Sequence, residues 1–273
     1  MNCEFLLSSL KLPVLSGDYA FDLDGDGKVD NQLGRVISAM LQQGLDMQAT
    51  VDKAVSDGKV LILFTLIAQK PLTVDQPADL RVVRALGTGA ADPLAVPLTL
   101  SGKLEAGRFL PNAPAPNSDL VTWVFELPLG PGLPARLTVQ WPRFVFGINP
   151  SGTRLVGGGL NGSLSGRTVF DDFVPSLAGV FTLYIATNPD SETSRTIKSV
   201  FDTGGCTDPD GAVAVKGDGR INPCELSQNP LIKSLLAPDV RLLDEAGKYD
   251  PRPDGAQKDS LSLGFGFTAT ALT

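Results

Sequence analysis

Asp22, Asp24, Asp26 and Asp30 fall in a single short run, DLDGDGKVD at 22–30. Carboxylates at alternating positions, followed by a glycine, are the oxygen donors a hard cation needs. A calcium loop takes its ligands from positions 1, 3, 5, 7 and 9, turns at a glycine in position 6, and closes with a bidentate Glu at position 12. In this chain those positions hold Asp22, Asp24, Asp26, the Lys28 carbonyl and Asp30, with Gly27 at the turn and Val29 at the apolar position 8. Position 12 is Leu33, so the closing ligand must come from elsewhere: Asp18, Gln32 or a distant acid. Asp and Gly also favour turns for local reasons, and a solvated acidic turn is the competing account. Four carboxylates so close repel one another, however, and a counter-ion removes that repulsion.

A second run supplies what the first lacks. Asp218, Gly219, the Arg220 carbonyl, Ile221, Asn222 and Glu225 match positions 5, 6, 7, 8, 9 and 12. Direct counting puts Ala214 and Lys216 at positions 1 and 3, where neither offers a carboxylate. We expect Asp202, at the end of the entering helix, to serve as position 1 across an insertion that contains Asp208 and Asp210. Cys206 and Cys224 flank that acidic, Gly-rich insertion, where they form either a staple across it or two buried thiols, and Cys3 is left over.

Composition narrows the chemistry. There is no histidine, which excludes Ser-His-Asp and Cys-His catalysis and His-ligated zinc. An enzyme would have to work through carboxylates or a bound cation. Net charge is −7 and no basic stripe occurs, so nucleic acid is not expected as a partner. The longest apolar run, 60–68, is strand-sized and too short to span a membrane. The opening residues carry no basic region and no long apolar stretch. A disulfide would imply an oxidising compartment. Together these suggest an exported protein, extracellular or periplasmic and outer-membrane-associated, whose leader is missing from this sequence.

Elements that could position these groups follow from periodicity. Apolar residues at helical spacing mark helices over 31–43, 45–56, from 172 onward, from 191 to about 201, and over 225–236. Strands are expected at 5–14, 59–67, 80–86, 98–104, 121–127, 135–146 and 154–164, with Leu137, Val139 and Trp141 on one face. A terminal strand carries Leu261, Leu263, Phe265 and Phe267. The acidic zone between 239 and 259, including Asp254, Gly255 and Asp259, is expected to be a solvated turn. With 29 Gly and 21 Pro among 273 residues, the expected class is α+β: an antiparallel sandwich-like β body with a few helices and an embedded helix-loop-helix. One domain spanning 1–273 is expected, in four sections: the first acidic loop and helices (1–58), the β body (59–170), the helices with the second loop (171–236), and an acidic loop with the last strand (237–273).

The stretch 201–236 resembles an EF-hand with an expanded loop, and 22–33 is similar to the shorter calcium loops of dockerins and thrombospondin type 3 repeats. The order of motifs also resembles a family of secreted lipoproteins from myxobacteria, through DLDGDGKVDNQLG at 22–34, LIKSLLAPDV at 231–240 and KDSLSLGFGFT at 258–268. That resemblance implies export, lipid anchoring and cation binding, and no activity. The chain departs from the family in lacking a leader with a lipobox, and at Ala214 and Lys216. The expected function is therefore an exported, non-enzymatic protein in which Ca²⁺ stabilises loops, with weak affinity of about 10⁻⁴–10⁻³ M. The alternatives are a calcium-dependent module binding polysaccharide or a surface protein, favoured if Trp123 or Trp141 is exposed, and a carboxylate-dependent hydrolase.

Overall fold

In the computed structural model, residues 2–15, 17–87, 89–130, 134–252 and 257–272 are described. Nine strands form one antiparallel sheet: β1 (Asn2–Lys11), β2 (Ile62–Ile67), β3 (Gln76–Arg84), β4 (Leu98–Glu105), β5 (Arg108–Pro111), β6 (Thr122–Leu127), β7 (Ala135–Ile148), β8 (Arg154–Ser165) and β9 (Ser260–Ala271). Their spatial order is β5-β4-β3-β2-β1-β9-β8-β7-β6. Arg108 and Phe109 of β5 also pair with Gly147 and Phe146 of β7, and this joins the sheet into a closed eight-stranded barrel. Strand β6 stands outside the ring and, among the described residues, pairs only with the first half of β7.

The expected α+β sandwich is therefore corrected to a mostly β, closed barrel with a few helices. Alternation marks which face of a strand is buried, and β6 shows it cleanly, exposed and buried residues alternating from Thr122 to Leu127. It says nothing about whether the two ends of a sheet meet. That depends on β5, four residues long and without a signature of its own, and on β7 and β8, which bend at register shifts after Gln140, Val145 and Leu155. Bulges of this kind raise the local twist and let a sheet curl. At the first of them Trp141 adopts φ +41°, so it leaves the inward row of Leu137 and Val139 and packs outside the barrel.

Inside, Phe64 stacks on Phe267 at 5.0 Å and meets Phe144 edge-on at 5.8 Å, while Trp123 meets Phe144 at 5.4 Å. Gly158 lies opposite Phe267, and a Cβ there would stand 2.7 Å from the ring, so the stack requires glycine. The apolar faces of α1 (Gln32–Gln42) and α2 (Met47–Ser56) join the same continuous core through Leu33, Val36, Ile37, Met47 and Val51. Helix α3 (Gly166–Thr187) is 22 residues long and apolar enough to cross a membrane by composition. Its Val174, Leu177, Phe181 and Ile185 are buried in the core, as in a core helix. It starts earlier than its periodicity predicts and contains a π-helical stretch, Val169–Phe173, ahead of Pro175, which has no N–H to give to the ladder. The helix expected over 225–236 is two short ones, α5 (Pro223–Gln228) and α6 (Pro230–Leu235), because Asn229-Pro230 interrupts it. Helix α4 (Glu192–Phe201) precedes them, capped by Ser191.

Candidate metal centre

Two features seat the 22–30 loop on the outer face of β9. Gly264 presents no side chain there, and a Cβ would lie 2.2 Å from the Tyr19 carbonyl oxygen, so the incoming chain rests directly on the strand. Asn31 caps α1 by accepting the Gly34 N–H at 2.9 Å and donates through Nδ2 to the carbonyls of Asp18 and Gly264. Beneath the loop, Leu23 joins Trp141, Val240, Leu242 and Tyr249 in a second, smaller core. Trp141 is thus an anchor of the acidic loop, with its ring 5.0 Å from that of Tyr249.

The loop closes where Phe21 and Asp30 exchange backbone hydrogen bonds of 3.3 and 2.9 Å. Asp22 accepts the N–H groups of Gly25 at 2.7 Å and Gly27 at 3.0 Å, and both glycines sit near φ +80°, a region open to glycine at little cost. Asp30 Oδ2 accepts the Leu23 N–H at 2.8 Å. These bonds hold the Asp22 and Asp30 carboxylates, and one oxygen each of Asp22, Asp24 and Asp30 lies within 4.8 Å of the others. Oxygens about 2.4 Å from a calcium ion lie at most about 4.8 Å apart, so the triad fits that ion.

Asp26 does not join the triad. It accepts the Lys28 N–H at 2.7 Å and pairs with the Lys28 ammonium at 3.2 Å, and the first of these contacts is the main reason its pKa is lowered. Val29, at the position expected to be apolar and anchored, is 56% exposed. The candidates for the missing ligand are occupied elsewhere. Asp18 accepts the N–H groups of Val14 and Leu15, and Gln32 donates to the Leu235 carbonyl. A distant cation bonds to the site: Lys258 Nζ lies 2.8 Å from Asp24 Oδ2, and the Asp24 side chain is only 2% exposed. A lone lysine far along the chain carries no sequence signal of this pairing.

Burial pushes the Asp30 carboxyl up to about 6; the Leu23 N–H opposes that shift, and the charges of Asp24, Asp239 and Asp26 add to it. Lys258 is raised, chiefly by its bond to Asp24. The zone after 237 is more than a solvated turn. Asp239 accepts from the Ser262 N–H and hydroxyl at 2.7 and 2.5 Å, and Asp259 accepts from the backbone of Leu242 and Leu243. Asp254 and Gly255 lie outside the described residues.

In the second loop, Asp202 makes the bonds that Asp22 makes in the first. It accepts the N–H groups of Gly217 at 2.5 Å and Gly219 at 2.8 Å, both glycines again near φ +80°. Asp218 accepts the Arg220 N–H at 2.8 Å, as Asp26 does that of Lys28. Glu225 is buried and divides its oxygens between the N–H groups of Gly204 at 2.7 Å and Asn222 at 2.9 Å. Cys206 and Cys224 form a disulfide, and Asp208 accepts the Cys224 N–H at 2.7 Å, which together pin the insertion. Among the described residues, no three acidic groups of this loop converge as Asp22, Asp24 and Asp30 do. Trp123 and Trp141 are both buried, at 7% and 3% exposure, which counts against an aromatic polysaccharide platform. No protein-family model, no curated protein and no solved structure matches this chain.

Proposed function

We propose that the 22–30 loop binds Ca²⁺ through Asp22, Asp24 and Asp30, and that the protein is an exported, non-enzymatic barrel whose surface loop the ion stabilises. The observation that carries this reading is the convergence of three carboxylates at calcium spacing on a loop held by two positive-φ glycines. One lysine cannot balance them, and a divalent ion would offset the burial that chiefly raises Asp30 together with the neighbouring charges that add to it. The Cys206–Cys224 disulfide supports export, since such bonds persist in oxidising compartments. In this reading the loop from Asp202 to Glu225 is a rigid frame held without an ion: its three buried carboxylates, Asp202, Asp208 and Glu225, accept backbone N–H groups, and no three of its acidic groups converge among the described residues.

Calorimetric titration with CaCl₂, paired with melting in chelator, tests the proposal. A saturable heat is expected, with stabilisation of about 2.7 kcal/mol at a hundredfold excess over Kd. Asp24→Asn should remove both effects, whereas Asp202→Asn should lower the melting point and leave the heat intact. No heat together with an unchanged midpoint would refute the reading.

A further inference from the structure

Strand β6 leaves one edge open beside a groove of about 480 Å³. The Trp141 backbone N–H donates to the Val121 carbonyl at 2.9 Å, which fixes the phase of the β6–β7 ladder. Antiparallel pairs alternate between hydrogen-bonded and non-hydrogen-bonded. With Thr122 opposite Gln140 and Val124 opposite Thr138, the backbone N–H and C=O groups of Thr122, Val124 and Glu126 point away from β7. No other hydrogen bond reaches that edge among the described residues. Five consecutive residues, 122–126, line the groove, as a strand does when it presents its edge.

The lining also includes 59–62 and 94–96. Leu94 and Val96 are 90% and 87% exposed, more than any other large apolar side chain described. Lys59 and Arg136 also line the groove, and neither forms an ion pair among the described residues. Arg84 is held by Asp92 and Arg136 feels the charge of Asp172 behind the lining, while the lining itself sets Lys59, Arg84 and Arg136 against one carboxylate, Glu126. On a chain of net charge −7, this local excess of positive charge favours an acidic occupant.

We propose that this groove binds an extended, acidic-apolar peptide of a partner protein as an added strand on β6. The peptide backbone pairs with Thr122, Val124 and Glu126. Its apolar side chains lie on Leu94 and Val96, and its carboxylates face Lys59 and Arg136. This mode takes affinity from main-chain bonds and selectivity from alternate side chains. It does not depend on the cation site.

Fluorescence anisotropy with a labelled peptide alternating valine and glutamate tests it on the full chain. Saturable binding is expected. Two changes should each weaken it by roughly tenfold or more, as the loss of edge hydrogen bonds predicts. One is N-methylation of alternate peptide nitrogens. The other is Val124→Pro, which removes an outward N–H at an edge position where proline is tolerated. Replacing the glutamates of the probe by lysine should abolish binding. If Val124→Pro fails to fold, the N-methylated probe decides the matter on the unaltered protein. The proposal is overturned if no probe binds, if the N-methylated probe binds equally well, or if sedimentation shows a dimer through β6 that occupies the edge.

Discussion

Replacing Lys258 with Met separates the two counter-ions available to the acidic loop. The substitution keeps the apolar stem and removes the ammonium that lies 2.8 Å from a carboxylate only 2% exposed. Breaking a buried pair costs about 3–5 kcal/mol, because one charge is left without compensation. Lys258 itself is 29% exposed, and solvent screening brings the expected cost in chelator to about 2–3 kcal/mol. For a chain of this size that lowers the melting point by roughly 5–10 °C. If Ca²⁺ takes over the carboxylates from Lys258, the bound form loses little, and the cost reappears as affinity. Two kcal/mol corresponds to about thirtyfold tighter binding. Calorimetry on both proteins, with melts in chelator and in saturating calcium, measures every side of that cycle. Equal destabilisation in both conditions with an unchanged Kd would refute the displacement and leave Lys258 as a permanent partner of Asp24.

Two further outcomes follow from the same geometry. Asp30 has a folded pKa near 6, above its ordinary value, and Asp239 is raised in the same direction by burial. Folding therefore disfavours their charged forms. Stability in chelator should rise as pH falls from 7 through 6 towards 4, with a higher melting point at pH 5 than at pH 7, and Asp30→Asn should flatten that slope. Protons should correspondingly weaken calcium binding at pH 5. Changing Cys206 and Cys224 together to Ser frees a loop with a sequence separation of 18. This should cost about 3 kcal/mol, or roughly 6–12 °C in melting temperature, read against the oxidised parent protein.

Local features were legible in the sequence where a residue's role depends on its near neighbours. The DLDGDGKVD run marked a folded loop, and the spacing of Leu33, Val36, Ile37 and Met40 located α1. Alternation located β6 and β9, and the two cysteines proved to be joined. Features that depend on distant partners were not legible. Barrel closure rests on two residue pairs between β5 and β7. The counter-ion of Asp24 comes from a lysine 234 positions away. Trp141 reads as the next inward residue after Val139 until a bulge turns it outward to anchor the loop. Asp26 has a ligand's position in the pattern, but its neighbour Lys28 engages it first.

The pairing of β1 with β9 sets an order on how this molecule is made. Strand β1 and the acidic loop leave the ribosome about 250 residues ahead of β9, and both require it. Until β9 is synthesised, β1 has β2 on one edge and nothing on the other, Asn31 has no Gly264 carbonyl to bond, and Asp24 has no Lys258. Contacts this distant in sequence slow folding and leave strand edges open in the meantime. The barrel therefore closes late, in the same event that completes the acidic loop, and an ion bound there would act as a latch on a ring already shut rather than as a nucleus around which it forms.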